Sequence, residues 1–233
     1  MADPSAVPGV VYRPLRGGNA LEETVARLMQ TVRLGVVAPG ESLPPERELA
    51  ASFGVSRDTV REAIRELVGI GYLAPRRGRY GGTFVADPLP RPRTPPAGDL
   101  DEVLGMRRVL EAGAARAAAG RSFDAEARAE LWSRHESATT AASEDYRRYD
   151  TRLHLSIAEA AGIPSLIALV AENRAKINEY LDTFPLLPRN IEHSNAQHER
   201  IVVAILAGRP AEAEEQVLEH LAGSEALLRG FLS

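Results

Sequence analysis

Cysteine is absent from all 233 residues, which excludes both disulfide staples and thiolate metal sites. Lysine is nearly absent too: Lys176 is the one lysine among 28 basic residues, and the others are arginine. No apolar run approaches the roughly 20 residues of a membrane span. Met1–Asn19 lacks a positive start followed by an apolar core, so no membrane partner is expected and the expected location is the cytoplasm. Aromatics are 5% of the chain, with Trp132 the single tryptophan, which gives little support to stacking recognition of a ring-bearing ligand. A surplus of positive charge is also missing, the net charge being -4, but the deficit is uneven. Residues 13–87 hold 11 Arg against 9 Asp/Glu, whereas residues 97–233 hold 15 Lys/Arg against 22 Asp/Glu. The small positive balance of the first part is compatible with specific nucleic-acid binding that weakens in raised salt.

What is present is organised around Pro44–Leu73. From Glu46 to Phe53, Leu49, Ala50 and Phe53 recur at helical spacing, and Gly54 follows where a helix commonly exits through a left-handed residue. Ser56 then stands as an N-cap before a second helix whose apolar side is Val60, Ala63, Ile64 and Leu67. Arg57 lies in its first turn, and Asp58, Arg61 and Arg65 lie off the apolar side. Two short helices with a basic second N-terminus form a helix-turn-helix, whose second helix enters the major groove, where arginine can bond guanine bidentately. A plain packing hairpin with a solvated Arg57/Arg61 pair is the alternative. After Gly71, two short strands flank the basic, glycine-rich turn Arg76-Arg77-Gly78-Arg79-Tyr80-Gly81-Gly82, which reads as a wing. Arg77, Gly78 and Arg79 can approach DNA, because glycine lets main chain come close and arginine neutralises phosphate.

The run Val36 to Ala50, then Gly54-Val55-Ser56-Arg57-Asp58-Thr59-Val60-Arg61-Glu62-Ala63, then Gly78 through Val85, closely resembles the winged-helix domain of the GntR family of bacterial transcription regulators. The resemblance covers roughly residues 20–86. It implies DNA contacts by Arg47 at the start of the second helix, by Ser56, Arg57, Asp58 and Arg61 on the recognition helix, and by Arg77 and Gly78 at the wing. Asp58 departs from the small hydroxyl or amide often found at its position.

The expected fold is mainly α. Residues 1–19 read as a mobile tail and 20–87 as a winged helix-turn-helix of three helices plus a small β wing, the first helix being Ala20 to Leu34. Residues 88–98, PLPRPRTPPAG, are a proline-dense linker. Residues 99–233 read as an all-α antiparallel bundle of six or seven helices, at roughly 99–119, 123–143, 145–161, 164–184, 190–207 and 210–231. Gly120, Gly162 and Gly208 act as stops, and Pro164 and Pro210 as starts.

Polar residues on the inward stripes of such a bundle are candidates for a site. Asp150 and His154 are an i,i+4 pair on the third of these helices. His198 shares a stripe with Ile201, Val202 and Ile205, and His220 with Val217 and Leu221. Three imidazoles and a carboxylate facing one centre suit Zn²⁺, Ni²⁺, Mn²⁺ or Fe²⁺. Isolated histidines, each bonded to a neighbour, are the alternative from residues alone, and His135 and His193 read as surface residues. Asp150-x-x-x-His154, Ala160-Ala161-Gly162, Ser194-x-x-x-His198 and His220 resemble the FCD-type effector domain of the FadR subfamily of GntR regulators, over roughly residues 100–228. That resemblance implies Asp150, His154, His198 and His220 as ligands of a divalent metal. It also matches Arg107, with Glu111 four residues later, to an arginine that meets an anionic effector, a surface salt bridge being the alternative.

The expected protein is therefore a regulator, most simply a repressor, and not an enzyme. It binds a near-palindromic double-stranded operator as a homodimer, with a metal and a small carboxylate altering operator affinity. Two rivals are a metal sensor without an organic effector and a metallohydrolase. The latter needs a general base beside the cluster, and no Glu is placed by spacing to serve.

Overall fold

The computed structural model describes residues 19–33, 36–78, 81–90 and 95–232. The expected tail up to residue 18, the end of the first helix at Leu34, Arg79 of the wing and residues 91–94 of the linker lie outside them. The described residues divide into two compact units, 19–90 with 223–232, and 95–222.

In the first unit α1 (Ala20–Arg33), α2 (Glu46–Phe53) and α3 (Arg57–Gly69) precede the hairpin β1 (Leu73–Arg76) and β2 (Gly82–Val85). Helix α1 buries Val25, Leu28, Met29 and Val32, one stripe at 3.6-residue spacing, and packs on α3. Val60, Ala63, Ile64 and Leu67 of α3 are buried too, as are Leu49 and Phe53 of α2, which packs on α3. Each large side chain so enclosed stabilises the unit by roughly 1.5–3 kcal/mol. The strands are antiparallel, with Leu73 opposite Val85 and Arg76 opposite Gly82. A segment not foreseen from the sequence runs beside β2: Leu43 N–H donates to the Thr83 carbonyl at 2.8 Å and Val85 N–H to that of Glu41 at 2.9 Å. It ties the start of α2 to the wing.

The second unit is helical: α4 (Leu100–Ala119), α5 (Ala125–Thr140), α6 (Tyr146–Ala160), α7 (Pro164–Leu181), α8 (Pro188–Leu206) and the first half of α9 (Pro210–Leu232). Helix α4 is central, packing against α6, α7 and α8. Its buried Ala112, Ala114, Ala115, Ala118 and Ala119 let neighbouring helices come close, and Leu153, Ile157, Ile201, Ile205, Val217 and Leu221 complete the core. Residues Gly223–Leu232 of α9 group with the first unit. There Gly230 meets Ala26 of α1 so closely that an added Cβ would lie 2.5 Å from the Ala26 Cα. Phe231 also stands edge-on to Tyr72, ring centres 5.9 Å apart.

Candidate functional site

Helix α3 begins as a reading helix should. Ser56 takes an extended conformation, and its Oγ accepts from Thr59 N–H at 3.0 Å, so one of the free N-terminal amides is satisfied. The entering turn is made by Gly54, left-handed at φ +69°, with Val55 N–H reaching back to the Ala50 carbonyl. Arg47, Ser56, Arg57, Asp58, Arg77 and Gly78 are exposed. Arg57 makes no ion pair among the described residues. Arg61 differs from it: half-buried, it reaches Asp58 Oδ1 at 2.9 Å and Glu46 Oε2 at 3.1 Å, which clamps α2 to the tip of α3. At the wing, Gly78 has φ +110° with open space where a side chain would stand, and Arg76 lies over the Phe84 ring at 4.1 Å.

The second constellation lies inside the helical unit. Helix α6 carries Asp150 and His154 on one face, α8 brings His198 and α9 brings His220, and one ligand atom from each lies within 4.8 Å of all the others. His198 Nε2 is 3.2 Å from His220 Nε2 and 3.5 Å from Asp150 Oδ1, and His154 Nε2 is 3.6 Å from the same oxygen. Tetrahedral nitrogen ligands about 2 Å from an ion stand about 3.3 Å apart, so the spacing fits a small cation. Chemistry agrees with spacing. His154 Nδ1 is 2.7 Å from Glu111 Oε2 and His220 Nδ1 is 3.1 Å from Gln197 Oε1. An acceptor beside Nδ1 of each ring favours the tautomer that leaves the Nε2 lone pair for the centre of the cluster, and His154 Nε2 is buried without a hydrogen-bond partner among the described residues. Three imidazole nitrogens and a carboxylate oxygen gathered at one buried point suit a cation.

Around this cluster is a ring of buried charge. Arg107 Nε donates to Glu111 Oε1 at 3.1 Å, with side chains only 3% and 4% exposed, so the expected i,i+4 pair exists but not on the bundle surface. Arg174 of α7 bonds Asp150 Oδ2 and lies 3.7 Å from Glu111 Oε1. Burial pushes the Asp150 carboxyl up, but Arg174, with His154, outweighs it and holds the group well below the usual carboxylate range. Glu111 is likewise held well down against its burial, by Arg107 and then His154. Burial lowers His154, but Glu111 reverses this and leaves it raised. His198, dominated by burial, falls to about 3, and His220 falls well below the ordinary imidazole value through burial and His198. The pair is thereby kept neutral, the state in which imidazole binds metal.

Comparison with known proteins accounts for both halves of the chain. The family model for bacterial regulatory proteins of the gntR family matches residues 20–85, and the FCD domain model matches residues 102–223. The chain belongs to the GntR family, with an FCD domain. Relatives of this GntR chain include the HTH-type transcriptional regulator LutR of Bacillus subtilis, 28% identical over 86% of this chain and 97% of LutR. Another is the Exu regulon transcriptional regulator of Escherichia coli, 26% identical over 89% of this chain and 83% of that protein. Among solved structures, E. coli McbR/YncC has the same fold, with TM-score 0.51 and 19% identity over 91% of this chain and 98% of that one. The GntR chain is thus a DNA-binding transcription regulator and not an enzyme, with a winged helix-turn-helix followed by a helical domain.

Two readings of the sequence need correction in this regulator. His135, taken as a surface residue, is buried with its ring 5.2 Å from that of Trp132 and its Nε2 3.3 Å from Thr139 Oγ1, and His193 is half-buried. The helix α5 that carries His135 is mostly polar, and its narrow inward stripe of Leu131, His135 and Ala138 was too weak to single out. A glutamate does stand beside the cluster, Glu111, but His154 and Arg107 occupy its oxygens, so it is not free to act as a base. Its signal lay in the sequence: Leu104, Arg107, Glu111, Ala115 and Ala118 share one buried stripe of α4, a charged pair on an apolar face. Arg174 and Gln197 gave no comparable signal, because their role depends on what faces them from α6 and α9.

Proposed function

We propose that this GntR regulator is a ligand-responsive repressor whose FCD domain holds a divalent transition metal through Asp150, His154, His198 and His220, with Zn²⁺ the first candidate. A small organic acid then binds beside Arg107 and changes the affinity for a near-palindromic operator. DNA contacts are assigned to Arg47, Ser56, Arg57, Asp58, Arg61, Arg77 and Gly78, with residues 20–87 as the reading domain and 99–233 as the effector and dimerisation domain. The observation that carries the reading is the convergence of three imidazoles and one carboxylate on a buried point ringed by two arginines. Bound there, the ion supplies a fixed positive charge and open coordination positions for a ligand oxygen.

A carboxylate is favoured by charge balance. With the imidazoles neutral, Arg107 and Arg174 are matched by Glu111 and Asp150. Two positive charges are then unmatched in a buried site once a divalent cation is held, and an anionic ligand offsets them. Arg174 Nε and Nη1 are buried without a hydrogen-bond partner among the described residues, which leaves donors for such an anion. Homodimerisation is supported by adjacent helices with apolar side chains left in solvent, Val109 of α4 at 71% exposure and Leu169 of α7 at 46%.

The test is fluorescence anisotropy of the full chain on DNA from its own upstream region, at several salt concentrations. Chelator, Zn²⁺, and a panel of hydroxy acids, sugar acids and dicarboxylates are then added in turn. Tight, salt-sensitive binding relieved by one acid only in the presence of metal, and insensitive to that acid after Arg107→Ala, is expected. No shift on any upstream DNA at low salt would remove the regulator's operator from that region. Release by chelator alone with a flat acid panel would make the metal itself the signal.

A further inference from the structure

We infer that Glu111 and Gln197 are positioning residues for the cation: they fix the rings of His154 and His220 so that Nε2 of each, rather than Nδ1, faces Asp150. This rests on the reading of the Asp150–histidine cluster as a metal site. Neither residue belongs to the cluster, and each reaches it from a different helix. Glu111 comes from α4 and meets a histidine of α6, at 2.7 Å. Gln197 comes from α8 and meets a histidine of α9, at 3.1 Å. Both are buried, with Glu111 4% and Gln197 3% exposed, so no water competes for the Nδ1 proton.

A neutral imidazole carries one proton and one lone pair, and whichever nitrogen donates leaves the other free to ligate. Without the outer acceptors, the proton would be free to sit on Nε2. The 3.2 Å approach of His198 Nε2 to His220 Nε2 would favour that, since a proton between them makes a hydrogen bond. An acceptor on the far side of His220 opposes this closed arrangement. Gln197 thereby holds the site open, while Glu111 does the same for His154 and, being charged, also strengthens the ring as a donor. His198 is the third case: its Nδ1 is buried with no hydrogen-bond partner among the described residues. No outer acceptor fixes its proton, and the outer layer is present on two rings of three.

Gln197 gives the cleaner test, because removing Glu111 also leaves Arg107 and Arg174 short of a counter-charge. Zn²⁺ affinity is measured by competition with a chromophoric chelator on the full chain, wild type against Gln197→Leu and Gln197→Glu. The tautomer of His220 in metal-free protein is read from ¹⁵N shifts of the imidazoles. Gln197→Leu is expected to weaken Zn²⁺ binding by about 10- to 100-fold and to move the His220 proton toward Nε2. Gln197→Glu keeps an acceptor oxygen, and is expected to retain both the affinity and the Nδ1–H tautomer. Wild-type affinity in Gln197→Leu, or an equal loss in both variants, would overturn the inference while the metal reading stood. No uptake of Zn²⁺ by the wild type would overturn both.

Discussion

The contrast between Arg57 and Arg61 shows how one residue type divides its work along a single helix face. Arg57 makes no ion pair among the described residues, whereas Arg61 is bound to Asp58 and Glu46. Arg57→Ala should therefore weaken operator binding with little effect on folding, and if Arg57 meets a phosphate it should reduce the salt slope by about one. Arg61→Ala should in addition loosen the fold, though by no more than about 1 kcal/mol, because its ion pairs are partly exposed. Anisotropy against salt, paired with urea denaturation, separates the two effects. Equal losses of stability would contradict the assignment. At the other site, Asp150→Ala strips the buried Arg174 of its bonded partner. In chelator-treated protein this should cost about 3 kcal/mol, since a buried charge is left uncompensated. A denaturation midpoint unchanged from wild type would mean that water or another carboxylate already serves Arg174. Residue identity alone made Asp150, His154, His198 and His220 visible as a pattern on inward stripes. It could not show that Arg174 and Gln197 face the same point, because that depends on helix rotation and on packing across α6 to α9.

At the level of elements, several helix ends were legible where a residue with a special backbone fixed them, though α8 opens on Pro188 and was expected from 190. Gly54 closes α2, and Pro164 and Pro210 open α7 and α9 as their fixed φ allows. Gly208 follows α8 at φ +68°, with Arg209 N–H bonding back to the Ala204 carbonyl at 3.0 Å, a closed helix end of the kind glycine permits. Only the Ala119 carbonyl, 3.9 Å away, lies near the place a Cβ would take there. Gly208→Ala therefore isolates backbone strain from crowding. It should lower stability by about 1–2 kcal/mol without touching the Asp150–histidine cluster. A thermal melt with unchanged Zn²⁺ uptake would agree, and an unshifted melt would mean the turn relaxes out of the left-handed region. Where such residues are missing, the reading drifted. Helix α5 was expected over 123–143 but runs from Ala125 to Thr140, its start set by the Asp124 side chain accepting from Ala127 N–H at 2.8 Å. Helix α7 was expected to reach 184 yet stops at Leu181, ahead of a turn in which Thr183 N–H bonds the Tyr180 carbonyl. Polar caps of this kind recur throughout the sequence, so they mark a boundary only once the backbone is known.

For the whole molecule, the sequence presented the proline-dense segment at 88–98 as the one connection between reading and sensing. Helix α9 is a second. It carries His220 in the second unit, and three residues later, at Gly223, it enters the first, where it ends against α1. Gly223 and Gly230, seven residues apart on one face of α9, are the means: a Cβ at Gly223 would lie 2.8 Å from Asn19 Oδ1, and one at Gly230 2.5 Å from the Ala26 Cα. The pattern was open to reading as Gly223-x₆-Gly230, but small residues at a helix seam say nothing of their partner until the partner is placed. If the proposed metal site is filled, α9 joins one of its ligands, His220, along the chain to the segment that packs on α1, a route distinct from the linker. Gly230→Leu tests this, because a leucine cannot share the space with Ala26 and the end of α9 must move away from α1. Its Zn²⁺ affinity should match wild type, since His220 lies ten residues earlier, while the change in operator affinity on adding or chelating Zn²⁺ should shrink. Loss of thermal stability with the Zn²⁺ response intact would show instead that α9 only completes the core of the reading unit, and that the signal travels through the linker.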